Sequence, residues 1–217
     1  MDTKVATPVS STALFDLVAS LADNKYFLGR RYAEWCTAAP TLEAAVAAAA
    51  MAQDEIGHAR SLYPMLRDIG EASPENEPET RQHFVNAAFL DDPFESWTDF
   101  VAANFLFDTA LTILLESARD SSANDLATRA RRMLAEEPLH WLHGEGWTRR
   151  LAARGAGVRG GLSQSLKSVA PQALSWLNVS KPELVTAGIL GSSADELRAR
   201  LSNRVNPILA ACELDPL

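Results

Sequence analysis

The sequence predicts an all-α protein: four long helices running up and down as two α-hairpins, with additional short helices towards the C-terminus. Three observations carry this. Alanine and leucine dominate a composition that is 47% hydrophobic, and β-branched and aromatic residues never gather into strand-like runs. Four segments repeat apolar residues every three or four positions. Pro, Gly and Ser fall between those segments, and hairpins of such helices bury their apolar stripes by packing together as a bundle.

After a loose tail over 1–10, the first helix is expected over 11–39, with Leu14, Val18, Leu21, Leu28, Tyr32 and Trp35 on one face. Pro40 stops it, and Thr41 is placed to cap a second helix that reaches Ile69 before Gly70. Residues 71–80, acidic and proline-rich, read as a surface loop, and a short helix is expected over 80–89. Asp91, Asp92 and Pro93 open a third long helix that runs to about Arg119. Ser121 and Ser122 mark a tight turn into a fourth helix over 123–153, which Gly155, Gly157, Gly160 and Gly161 end. Shorter helices are expected over 162–177, 182–190 and 193–204. The bundle thus occupies 11–155, and 156–217 is a helical extension packed on it.

A formal charge of −8 argues against non-specific nucleic-acid binding, which needs a basic face to displace counterions from phosphate. Cys36 and Cys212 make no disulfide framework, so a reducing, cytoplasmic setting is expected. The N-terminus lacks the apolar core of a signal peptide, and Asp2 stands where a basic residue is usual. The stretch over 44–52 reads as the most apolar and is too short to span a bilayer, so no membrane association is expected.

Each long helix carries a polar interruption in its apolar stripe: Lys25 on the first, Glu55 and His58 on the second, Asp108 on the third, Glu137 and His140 on the fourth. Steps of three and four keep these side chains on the inward faces. Lys25 and Glu55 lie equally far from the turn near residue 40. Asp108 and Glu137 match to within one residue about the turn near 122, so all should meet at mid-bundle. A buried carboxylate must be paired, protonated or metal-bound. Two Glu-x-x-His pairs facing carboxylates on the other two helices is the pattern of ferritin-like di-iron proteins. Carboxylates bridge and neutralise two divalent ions, imidazoles are neutral terminal donors, and open positions admit dioxygen.

Lys25 breaks that pattern. Glu55, Asp108 and Glu137 with a protonated Lys25 sum to −2, and an ammonium cannot ligate metal. Lys25 therefore replaces a ligand and forms buried salt bridges; a neutral Lys25 is the other option, which neighbouring carboxylates disfavour. Pro138 should kink the fourth helix, which leaves open whether Glu136 or Glu137 faces inward. His143 and Glu145 are read as partly exposed, His83 as a surface residue, Glu34 as a packing or turn contact, and Trp35 as core.

The run EWCTAAPTLEAAVAAAAMAQDEIGHAR from Glu34 to Arg60 resembles the helix-turn-helix signature of the bacterial phenylacetic acid catabolic proteins, the subunits of the phenylacetyl-CoA ring epoxidase. The preceding LADNKYFLGRRYA resembles that family's first helix, and the similarity extends through EEPLHWLHGEGW, covering roughly 15–155. It implies a catalytic subunit with a full di-iron set or a companion subunit that has lost ligands. Lys25 falls where the catalytic subunit supplies its first glutamate. The resemblance thus implies a structural companion with a degenerate di-iron site, paired with itself or a homologous subunit, with Trp97, Trp141 and Trp147 on outer faces. The alternative is an active di-iron monooxygenase with Glu55, His58, Asp108, Glu137 and His140 as iron ligands. There, Lys25 donates a proton or hydrogen bond, a reductase is the partner, and the substrate is aromatic or acyl-CoA. A third reading is ferritin-like iron handling.

Overall fold

The computed structural model describes residues 11–70 and 81–217; the tail expected over 1–10 and the loop expected over 71–80 lie outside them. The described residues are all-α, with no strand.

Helix α1 (Ser11–Glu34) and helix α2 (Leu42–Ile69) form an antiparallel hairpin. Thr41 caps α2 by accepting from the Ala44 amide at 3.2 Å, and the Gly70 amide closes on Leu66 O, as the sequence predicts. α1 stops earlier than expected. Its last residues tighten into turns, Trp35 N to Tyr32 O and Cys36 N to Ala33 O, before Pro40 is reached. At Gly29 the two helices approach so closely that a Cβ there would meet Ile56 Cγ1 at 2.8 Å and Glu55 Cβ at 3.0 Å.

The helix expected over 80–89 reduces to a single 3-10 turn, Ala88–Leu90. Residues before it are held extended by side chains of α1. Asp23 Oδ2 accepts from the Val85 amide at 2.8 Å, and Asn24 Oδ1 accepts from the Ala87 amide at 2.8 Å. Backbone groups satisfied that way need no helix.

The third rod starts at Ser96 rather than Asp91, because Ser96 and Asp99 form a reciprocal capping box. It comprises α3 (Trp97–Ala102), a π-helical stretch (Ala103–Asp108) and α4 (Thr109–Ser117). Among the described residues, Trp97–Ser117, not the alanine run of α2, is the helix long and apolar enough to cross a membrane; its most apolar window is 83% buried within the protein, as in a core helix.

The fourth rod is two helices. α5 (Asn124–Met133) and α6 (Glu137–Ala152) are separated by turns at 134–136, with Ala135 N on Arg132 O and Glu136 N on Met133 O. Pro138 is the cause. It has no amide and would crowd the Leu134 carbonyl, so the helix breaks instead of kinking, and Pro138 sits in the first turn of α6 where no donor is needed. Only Gly155, at φ +104°, ends this rod; Gly157, Gly160 and Gly161 lie inside α7 (Ala156–Trp176). α8 (Pro182–Thr186) is shorter than expected, and α9 (Ala194–Ala211) longer, continuing through Pro207. α7 packs on α3, the π stretch and α6, and α9 packs on α4, so most of the third rod is buried.

Candidate functional site

Lys25, Glu55, Asp108, Glu137 and His140 converge from four rods, each no more than 2% exposed. The Lys25 ammonium donates to Glu55 Oε1 at 2.7 Å, Glu137 Oε1 at 2.7 Å and Asp108 Oδ1 at 3.3 Å, using all three of its protons. Burial alone would lower its pKa, but the three carboxylates outweigh that and hold it well above the usual lysine value.

His140 is a second cation. Its Nδ1 lies 3.0 Å from Asp108 Oδ2 and 3.3 Å from Glu55 Oε1, and its Nε2 lies 3.3 Å from Asp54 Oδ2. Burial opposes the charge, yet Asp108 and Glu55 push the imidazole up to about 12. Carboxylate oxygens beside both nitrogens favour the doubly protonated ring. Burial alone would raise the Asp108 carboxyl; Lys25 and His140 pull it well below the ordinary aspartate range. Tyr32 Oη and Asn104 Nδ2 also donate to Asp108 Oδ2, at 3.2 and 3.3 Å. Glu55 moves the other way, up to about 7, because burial outweighs the attraction of Lys25; its Oε2 has no hydrogen-bond partner.

Glu137 faces inward, at 2% exposure, and Glu136 turns outward onto His58, with Oε2 2.6 Å from Nε2. Burial, with Lys25 acting in the same direction, pushes His58 down to about 4, so the neutral ring donates from Nε2 and leaves Nδ1 without a partner. That nitrogen stands 3.6 Å from Glu137 Oε1. Glu55, Asp108, Glu137 and His140 each present a ligand-type atom, all within 4.8 Å of one another, a group that could hold a metal ion; His58 stands outside it.

Several contributors lie beyond the residues that the sequence singles out. Thr112 Oγ1 donates to Glu137 Oε2 at 2.6 Å, and Asn104 joins Asp108 to the His140 carbonyl and to His143 Nδ1. Their spacing of four from Asp108 on either side is the available signal. A further buried ion pair has no such signal. Asp23, fully buried, takes a two-pronged contact from Arg81 at 2.9 Å and a hydrogen bond from Tyr63 at 2.9 Å. His143 is half-buried beside Trp97 and Trp147, and His83 is exposed. Glu34 pairs with Arg31 at 3.1 Å. Trp35 and Trp97 cluster around Phe100, Trp147 packs edge-on against Trp97, and all three pack against the core, as does Trp141 on Phe105.

The sequence matches the family described as phenylacetic acid catabolic protein over residues 1–216. It is also similar to one of the subunits of the 1,2-phenylacetyl-CoA epoxidase of Escherichia coli (strain K12), at 29% identity over 134 residues. That alignment covers 60% of this chain and 54% of the relative, so the chain spans about half the length of the curated relative it matches.

Proposed function

Because this chain belongs to the phenylacetic acid catabolic protein family, we propose that it is a companion subunit of an oxygenase of the phenylacetyl-CoA epoxidase type. In this reading its four rods form a ferritin-like up-down bundle covered by residues 156–217, and a closed ion network stands where a catalytic member would hold two irons. One observation carries it: the fully buried Lys25 ammonium, 2.7 Å from both glutamates.

The donor set does not suit a dinuclear iron centre. Lys25 takes the space between the carboxylates. His140, protonated at both nitrogens, has no lone pair to give. Charge also balances without metal: three carboxylates face two cations, and Glu55 is raised towards neutrality. Buried charges so arranged need no divalent ion to offset their desolvation. The contribution of the network is to join four rods by directional contacts at one depth.

Metal analysis of protein produced with iron tests this. A metal-free, folded chain is expected, and about two irons per chain would refute the companion reading. Lys25→Glu supplies the missing carboxylate and removes the ammonium, so it should create iron binding. Continued failure to bind in a folded variant would refute the account of Lys25. The alternative, an active oxygenase using dioxygen, a reductase and an aromatic or acyl-CoA substrate, draws support from the compact Glu55, Asp108, Glu137 and His140 group. It requires Lys25 to leave that group.

A further inference from the structure

The break between α5 and α6 opens a cleft beside the buried network. Its volume is about 680 Å³, within the range of roughly 300–1,000 Å³ usual for small-molecule sites. Three helices line it with residues spaced by four: Thr112 and Glu116 on α4, Glu137 and Trp141 on α6, Arg200 and Arg204 on α9. Leu134, just before the break, and Pro138, just after it, complete the wall.

The acidic groups of the cleft are already committed. The Glu137 carboxylate is held by Lys25 and Thr112, and Asp120 pairs with Arg131 at 3.1 Å. Glu116 accepts from Nη2 of Arg200 at 2.6 Å and from Nη2 of Arg204 at 2.9 Å, so one carboxylate faces two guanidiniums. A guanidinium has five N–H donors. In both arginines the Nε and Nη1 donors have no partner among the described residues. Arg119, an exposed residue of the same lining, has no side-chain partner among the described residues at all. Three arginines against Glu116 leave a surplus of positive charge, with fork-shaped donors that suit a carboxylate.

The rest of the lining is apolar: Leu134, Pro138 and Trp141. The Trp141 ring is held in place by stacking on Phe105 at 5.5 Å, so this wall is formed before any ligand arrives.

We propose that the cleft binds a small aromatic carboxylate, its ring against Trp141, Pro138 and Leu134 and its charge on Arg119, Arg200 and Arg204. The apolar wall selects a ring-bearing anion over inorganic phosphate. Of the buried network only Glu137 reaches the cleft, and both its oxygens are occupied. The ligand therefore meets no free acid or base and is bound without reaction. The proposal does not rest on the companion reading, and iron analysis and ligand binding fail or succeed as separate measurements.

Isothermal titration of the full chain with 2-naphthoate tests it. One site per chain is expected, with Kd below about 1 mM, and the naphthoate should be recovered unchanged. 2-Naphthylmethanol keeps the ring without the charge, and acetate keeps the charge without the ring; each should bind at least about ten-fold more weakly. Arg119→Glu alters an exposed side chain that has no partner among the described residues, and Arg200→Gln leaves Glu116 paired with Arg204, so both variants should fold. Each should weaken naphthoate binding by about ten-fold or more. Absence of saturable binding, equal affinity for the alcohol, affinity unmoved by both substitutions, or an oxygenated product would each overturn the proposal.

Discussion

Thr112 Oγ1 donates to Glu137 Oε2 at 2.6 Å while Lys25 holds the other oxygen of that carboxylate at 2.7 Å. Glu137 is thereby fixed by two donors from two different rods, and its orientation depends on nothing outside the chain.

Removing the ammonium should be costly. Lys25→Met leaves three buried carboxylates facing a single imidazolium, and breaking a buried ionic group in this way costs about 3–5 kcal/mol. Urea unfolding at neutral pH reads the loss directly. A variant as stable as wild type would mean that the carboxylates readily take up protons and that the network contributes little.

Stability should pass through a maximum near neutral pH. His58 and His143 are both depressed to about 4, so the unfolded chain binds more protons between there and 6.5, and stability rises with pH across that window. Glu55, raised to about 7, opposes this from 4.5 upwards because the folded chain is then the better proton acceptor. His140, raised to about 12, stabilises fully below 6.5 and loses its contribution steadily above it. His140→Gln should therefore flatten the alkaline decline in a series of thermal melts. An alkaline limb of unchanged slope would show that His140 is not held as a cation.

Gly29→Ala tests how closely α1 and α2 must approach. Its new methyl would press on Ile56 Cγ1 and on backbone at Ile56 N, 3.0 Å away, where rotation cannot relieve it. A loss of about 1–3 kcal/mol is expected from such overpacking. An alanine variant with unchanged melting would mean that the hairpin separates at no cost.

Arg81→Ala should free the extended segment that follows it. Asp23 would keep only Tyr63 and the Val85 amide as donors, and an uncompensated buried carboxylate costs several kcal/mol. Amide exchange at Val85 and Ala87 should accelerate by orders of magnitude relative to the core of α2. Exchange at the wild-type rate would assign the anchoring to Asn24 and Ser20.

The legible parts of this molecule are those governed by short-range rules. Thr41, Gly70 and the matching depths of Lys25, Glu55, Asp108 and Glu137 follow from capping and helical rise, and the structure places them as that arithmetic requires. The break before α6 is half-legible, since Pro138 announces a disruption without saying whether the helix bends or stops. Two features depend on partners distant in sequence and have no local sign. Asp23 reads as an ordinary helix residue until Arg81 arrives from beyond α2, and the second cation at His140 emerges only when Asp54, Glu55 and Asp108 surround it. The Glu-x-x-His spacing suggests a neutral metal ligand. The same spacing serves an imidazolium equally well.

The π stretch Ala103–Asp108 constrains how this chain can change length. A π turn takes in one residue more than the α-helical turn it replaces, so the two ends of the rod stand about 100° out of phase with an uninterrupted helix. Deleting one residue there would restore regular winding but swing Asp108 away from Lys25 or Trp97 away from Trp35, never sparing both. Gain or loss of residues, tolerated in a surface turn, is barred at mid-rod by the two ends pulling on opposite sides of the same insertion.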